Sequence, residues 1–220
     1  MADEDPFPVP PQFSVAEIED FRKSGDYRPI FFEWYKYVGL VSNFIASIDL
    51  ASPAARPVAP SHFGVLIGLL NRCSRLMLAN LSLSNQGLFG ETTAIVDRCI
   101  FESCVKVQWL CKQASEDFFE RFIAEGLNTE LALKSQIETN IASRGGAILP
   151  IEQRMLRSIE CCLRTSSLND GQIANLKKLP HLASMLDDLG NERLTYVVGQ
   201  KIGSHHVHGT WPSLLLHYLE

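Results

Sequence analysis

The chain has 220 residues, 46% hydrophobic and 20% charged, with a formal net charge of −5. That composition belongs to a folded globular protein long enough for a proper core, and it excludes a disordered chain. No Lys/Arg block occurs, which excludes avid non-specific nucleic-acid binding through a continuous basic patch.

The first 13 residues, MADEDPFPVPPQF, are acidic and Pro-rich, the opposite of a secretory signal, and read as a loose tail. Residues 14–220 read as one all-helical domain. Ser14-x-x-Glu17 has the form of a capping box, and Gly25 is a stop for a short first helix. Pro29 suits the first turn of a second helix running to Ala51. Its aromatics Phe31, Phe32, Trp34, Tyr35 and Tyr37 are expected to pack in the core rather than form a ligand cage. The Pro-rich segment 52–61 is a connection, and Ser61 a cap for a third helix that Gln86–Gly87 closes. The apolar run 63–70 inside it stops at Asn71, Arg72 and Arg75, well short of a membrane span.

Residues 91–113 are expected to form the central helix, apolar over Val96, Cys99, Ile100, Ser103, Cys104, Val107, Leu110 and Cys111. Ile95, Phe101, Val105 and Trp109 sit among its charges, which places it in the middle of a bundle. Beyond it, Gly126 and Gly145–Gly146 are read as stops for two helices. Pro150 opens the next, Asp170 caps another, and a short segment ends at Gly190. Asn191 caps a last long helix that Gly209 and Pro212 interrupt. The terminal PSLLLHYLE starts a helix with no stop signal, an expectation of truncation at residue 220. No stretch shows period-2 alternation, so the fold expected is all-α, a bundle of about eight to ten helices. The six cysteines form no C-x-x-C pair and read as reduced, buried thiols of a cytoplasmic protein.

Two polar sets stand out. Arg98 and Glu102 lie four apart on one helix face, with Glu91 two turns earlier, and suit an ion pair. Ser204 and His208 lie four apart on the last long helix, near Tyr196, Lys201, His205, His206 and Gly209. One helix cannot bring three histidines to one ion, so no metal and no cofactor is expected. An acid/base histidine fits the set better. Ser204 with His208 lacks the strand-to-helix elbow of a hydrolase, and no phosphate loop or dinucleotide fingerprint is present.

Arg98-x-x-x-Glu102 followed by Tyr196 and Ser204-x-x-x-His208-Gly209 resembles an uncharacterised bacterial all-helical family of unknown function, over roughly residues 60–217. The resemblance implies an all-α fold in which the Arg/Glu helix faces the Ser/His helix, and no established activity. A looser similarity is to the HEPN helical ribonucleases, which place Arg and His with four to six residues between them. Here only Arg56 and His62 have that spacing, across the Pro-rich loop, so an RNase would have to assemble Arg98 and His208 from separate helices. The sequence therefore leads to an interaction or regulatory domain with Arg98, Glu102, Ser204 and His208 at one polar cluster. Its partner is a protein or a second copy of the chain, and no membrane. The alternative is a metal-independent ribonuclease acting on RNA, with His208 as acid/base and Arg98 steadying phosphate charge.

Overall fold

The computed structural model describes residues 7–53, 55–84, 89–166 and 168–219. Among them every regular element is a helix and none is a strand. The chain divides into two compact units, Met1–Lys112 with Leu182–Glu220, and Gln113–His181. Residues 1–6 of the expected tail, the Gln86–Gly87 stop and the terminal residue 220 lie outside the described residues.

In the first unit, α1 (Val15–Ser24) starts at the Ser14–Glu17 capping box and ends at Gly25, whose φ of +69° favours glycine. Helix α2 (Arg28–Ala46) carries Pro29 in its first turn. It stops five residues short of the expected end, because Ser47 bonds back to the Phe44 carbonyl and Asp49 accepts from the Ala51 amide. Helix α3 (Pro60–Ser84) starts on Pro60, so Ser61 lies inside it rather than capping it. It crosses α2 closely: the fully buried Ser74 hydroxyl donates to the Gly39 carbonyl at 3.0 Å.

Helix α4 (Gly90–Gln113) is the expected central helix. Its buried residues include Val105 and Trp109, which the sequence pattern leaves among the charges, while Cys111 is exposed. Trp109 is 1% exposed and its indole N–H donates to Asp188 at 2.9 Å. The partner holding Trp109 lies 79 residues away, where helical periodicity has no reach. Helix α8 (Leu182–Asp188) supplies that aspartate and the buried Met185 and Leu186. Next come α9 (Arg193–Tyr196), a π-helical stretch (Val197–Ile202), α10 (Gly203–Val207) and α11 (Trp211–Tyr218). The joints at Val197 and Gly203 stay right-handed, so 193–207 runs on as one helical segment with a widened middle. Gly209, at φ +54°, ends it.

In the second unit, α5 (Glu116–Ser143) passes straight through Gly126, where two helices were expected. A mid-helix glycine costs about 1 kcal/mol and does not by itself break a helix. The chain reverses at Gly145 and Gly146, both at positive φ, into α6 (Pro150–Ser166). Glu152 secures that turn, accepting from the Leu149 amide at 2.9 Å and from Arg144. Helix α7 (Asp170–Asn175) is capped by Asn169, one residue before the expected Asp170. Its Ile173 packs with Ala124 and Leu127 into the unit's core.

Candidate functional site

Helix α4 meets the C-terminal helices through two glycines. A Cβ on Gly199 would lie 2.5 Å from the Phe101 ring, and one on Gly203 would lie 2.9 Å from Arg98 Cβ. Neither distance is sterically open to an alanine, so G-x-x-x-G here permits contact of a helix backbone with side chains. Arg98 is thereby covered, with 17% of its side chain exposed. Its Nε donates to Glu102 Oε1 at 3.1 Å across one helical turn. Arg98 Nη1 and Gln200 Oε1 are both buried and take no hydrogen bond among the described residues.

The other two expected site residues stand apart from that pair. The Ser204 hydroxyl donates to the Gln200 carbonyl within its own helix, at 2.9 Å. His208 is exposed and its ring has no hydrogen bond among the described residues. Arg98 and Glu102 are together; Ser204 and His208 do not bond to them.

A denser polar network joins the start of α4 to α10 and α11. The Ser213 hydroxyl is wholly buried and donates to Glu91 Oε1 at 2.5 Å. The Tyr218 hydroxyl donates to Glu91 Oε2 at 2.5 Å. Since the serine has one proton and gives it to Glu91, His206 Nδ1, 3.2 Å away, must be the donor to Ser213 Oγ. The His206 ring packs edge-on against His217, 5.2 Å between centroids, and His217 abuts Gly90. The hydrogen bonds from Ser213 and Tyr218 hold the Glu91 carboxyl below its ordinary value. Burial first, and then the neighbouring His217, lower His206, so the ring is neutral at pH 7.

A hydroxyl, an imidazole and a carboxylate in contact suggest a nucleophile, but the order is wrong for one. The serine proton points to the carboxylate instead of the imidazole, and the oxygen is sealed from solvent. The network is built to hold helices together. Glu91 and His206 are the members the sequence reading linked to a polar set, but to two different ones. Ser213, His217 and Tyr218 escaped it, although Ser213-x-x-x-His217 has the same four-residue spacing as Ser204-x-x-x-His208.

A second polar set sits on another side of α4. The Tyr35 hydroxyl donates to Asp97 Oδ1 at 2.9 Å, and the Asn80 amide donates to the same oxygen at 2.7 Å. Burial raises the Tyr35 hydroxyl above its ordinary value, keeping it a donor. The aromatics around Tyr35 are not core, contrary to the sequence expectation: Phe31 is 70% exposed, and Phe32 and Trp34 are also exposed. Helix α2 spends its buried contact on the Gly39–Ala46 side, which leaves its first two turns open. Nor are the thiols uniformly buried. Cys73 and Cys104 meet inside at 3.7 Å, but Cys111, Cys161 and Cys162 are exposed. No group of three metal-binding side chains occurs among the described residues. None of their helices is long and apolar enough to cross a membrane.

Fold and junction define an all-α protein whose central helix is locked to its C-terminal helices by a polar network and two glycine contacts. Residues 63–220 match the Family of unknown function (DUF5677), and the chain belongs to that family. No curated protein and no solved structure matches the chain.

Proposed function

We propose that this chain is a helical interaction domain that binds protein through the outer side of its C-terminal helices, with a second copy of itself as the partner. The observation carrying this reading is an apolar stripe. Leu194, Val198 and Ile202 recur every four residues and are 64%, 55% and 51% exposed. An α-helix drifts off a four-residue repeat by about 40° per step, and the wider π turn over Val197–Ile202 offsets that drift. Trp211 and Leu215 on α11 are exposed apolar side chains as well. Contiguous apolar surface of this kind marks protein contact sites, and a self-complementary stripe suits a two-fold pair.

In this reading Arg98, Glu102, Gly199 and Gly203 are the clamp that holds the stripe outward. Ser204, bonded inside its helix, and His208, exposed, belong to the presented segment. Arg98, committed to Glu102 and covered, is poorly placed to steady a phosphate, so the ribonuclease alternative draws no support from it. Six free thiols suit a reducing compartment such as the cytoplasm. The test is sedimentation velocity on the wild-type chain and Val198→Asp. We expect a dimer that the charged variant converts to monomer with its far-UV dichroism unchanged. A wild type that stays monomeric at ~100 µM, a weak-affinity limit, overturns self-association.

A further inference from the structure

A cavity of about 750 Å³ lies in the first unit between α1, α2, α3 and α4. That is the size of a metabolite pocket. We infer that it binds a small organic ammonium ion, the charge held at Asp97 and the apolar part held by phenylalanines of α2 and the α1 segment.

The walls supply the first argument. Phe13, Phe21, Phe31 and Phe32 line the cavity, and Phe13 and Phe21 meet edge to face at 6.0 Å. Ring faces attract cations, and several rings about one space form the aromatic cage that takes up ammonium groups. A purely apolar ligand would need no carboxylate, and the cavity has three. Glu17, Glu33 and Asp97 line it against a single cation, Arg28. Arg28 is already bonded to Asp26 at 2.7 Å, Glu17 to its helix cap, and Glu33 lies 3.8 Å from Lys36. Glu17 and Asp97 are both oriented by neutral donors rather than neutralised, and the one held from two other helices, by Tyr35 and Asn80, is Asp97. Tyr35 and Asn80 both bond its Oδ1, Oδ2 accepts nothing, and no Lys or Arg pairs with it among the described residues.

Asn80 supplies an independent sign of a missing donor. It lines the cavity and is 4% exposed. Its amide nitrogen is fully used by Tyr35, Asp97 and the Thr93 carbonyl, while its Oδ1 is covered and accepts no hydrogen bond. Flipping the amide would set that oxygen against Asp97 and the Thr93 carbonyl, so the orientation is fixed by its neighbours. A buried acceptor without a donor is costly, and a ligand N–H entering beside Asp97 would satisfy it with a small rotation of the side chain. Anions are excluded by the same carboxylates.

Isothermal titration of the full chain with phenethylammonium chloride, and with 2-phenylethanol as its uncharged counterpart, tests this. We expect the ammonium to bind at least ~10-fold more tightly than the alcohol. In Asp97→Asn, which keeps an acceptor for Tyr35 and Asn80, the two should bind within about threefold of each other. Phe31→Ser, at a position 70% exposed and safe for the fold, should weaken the ammonium and serves if the Asp97 variant fails to fold. Equal affinities in the wild type, or no ammonium binding by the folded chain, would overturn the proposal. So would a preference that survives in both variants.

Discussion

Asp97 and Arg98 are consecutive on α4, about 100° apart around the helix, and meet opposite surroundings. Arg98 is closed in: Gly203 presses on its stem, Glu102 takes its Nε, and it is largely covered. Asp97 is exposed, oriented by two neutral donors, and faces a cavity. The local sequence is the same for both. What differs is the opposing element: a glycine-bearing helix that admits no gap on one side, and an aromatic helix whose first two turns are left open on the other. A closed side stores stability, and an open side leaves a charge available to a ligand.

If that contrast is right, the closed side is intolerant of added volume. Gly203→Leu has the largest expected effect. Its Cβ alone would fall 2.9 Å from Arg98 Cβ, a rigid part of the side chain. Overpacking of this kind costs about 1–3 kcal/mol, and the position should lie at the upper end, lowering the melting temperature by about 2–4 °C per kcal/mol. The same change at Gly64, where a new Cβ meets nothing, is the control and should leave the melt nearly unmoved. Equal effects at the two glycines would break the claim that the junction is sterically closed.

Next in size is Ser213→Ala. It removes a fully buried hydroxyl that serves two partners, and should cost about 1–2 kcal/mol by stranding them. Thermal melting measures it. A neutral outcome would mean that Glu91 and His206 find other partners, and the polar lock would lose its centre.

The course of the helices was legible in the chain because caps and breakers are local. Ser14 with Glu17, Pro29, Gly25 and Gly190 act on their immediate neighbours, and their helices begin or end where those residues stand. Gly126 misled because a glycine disfavours a helix without forbidding it, and α5 has enough packing along its length to continue. The i,i+4 rule found Arg98 with Glu102 because both lie on one helix. The same rule chose Ser204 and His208 over Ser213 and His217, since spacing along a helix carries no information about which side another helix covers. Glu91 and Ser213 are 122 residues apart, and only the fold brings them together. The exposed aromatics of α2 were hidden for the same reason: composition says that Phe prefers burial, not that anything arrives to bury it.

The smallest effects expected separate two histidines two residues apart, one on the closed side and one outside it. His206 is half-buried against His217, Glu91 and Ser213, and its folded-state value lies below the ordinary 6.5. As pH falls through 6.5 the unfolded chain takes up its proton first, so stability present above pH 6.5 declines as the pH falls towards the folded value. Glu91 adds its own loss lower down, because its folded value is depressed: that contribution is present above 4.5 and disappears as the pH falls further. Urea midpoints measured between pH 7.5 and about 5 should therefore slope downward in the wild type. His206→Asn, whose amide can still donate to Ser213, should flatten that slope. His208→Ala should leave the stability within about 0.5 kcal/mol of wild type across that range, as an exposed ring without a hydrogen bond among the described residues should. A slope that vanishes with His208 instead would show that the outer histidine is the one held by the fold, and would return Ser204 and His208 to the centre of the site.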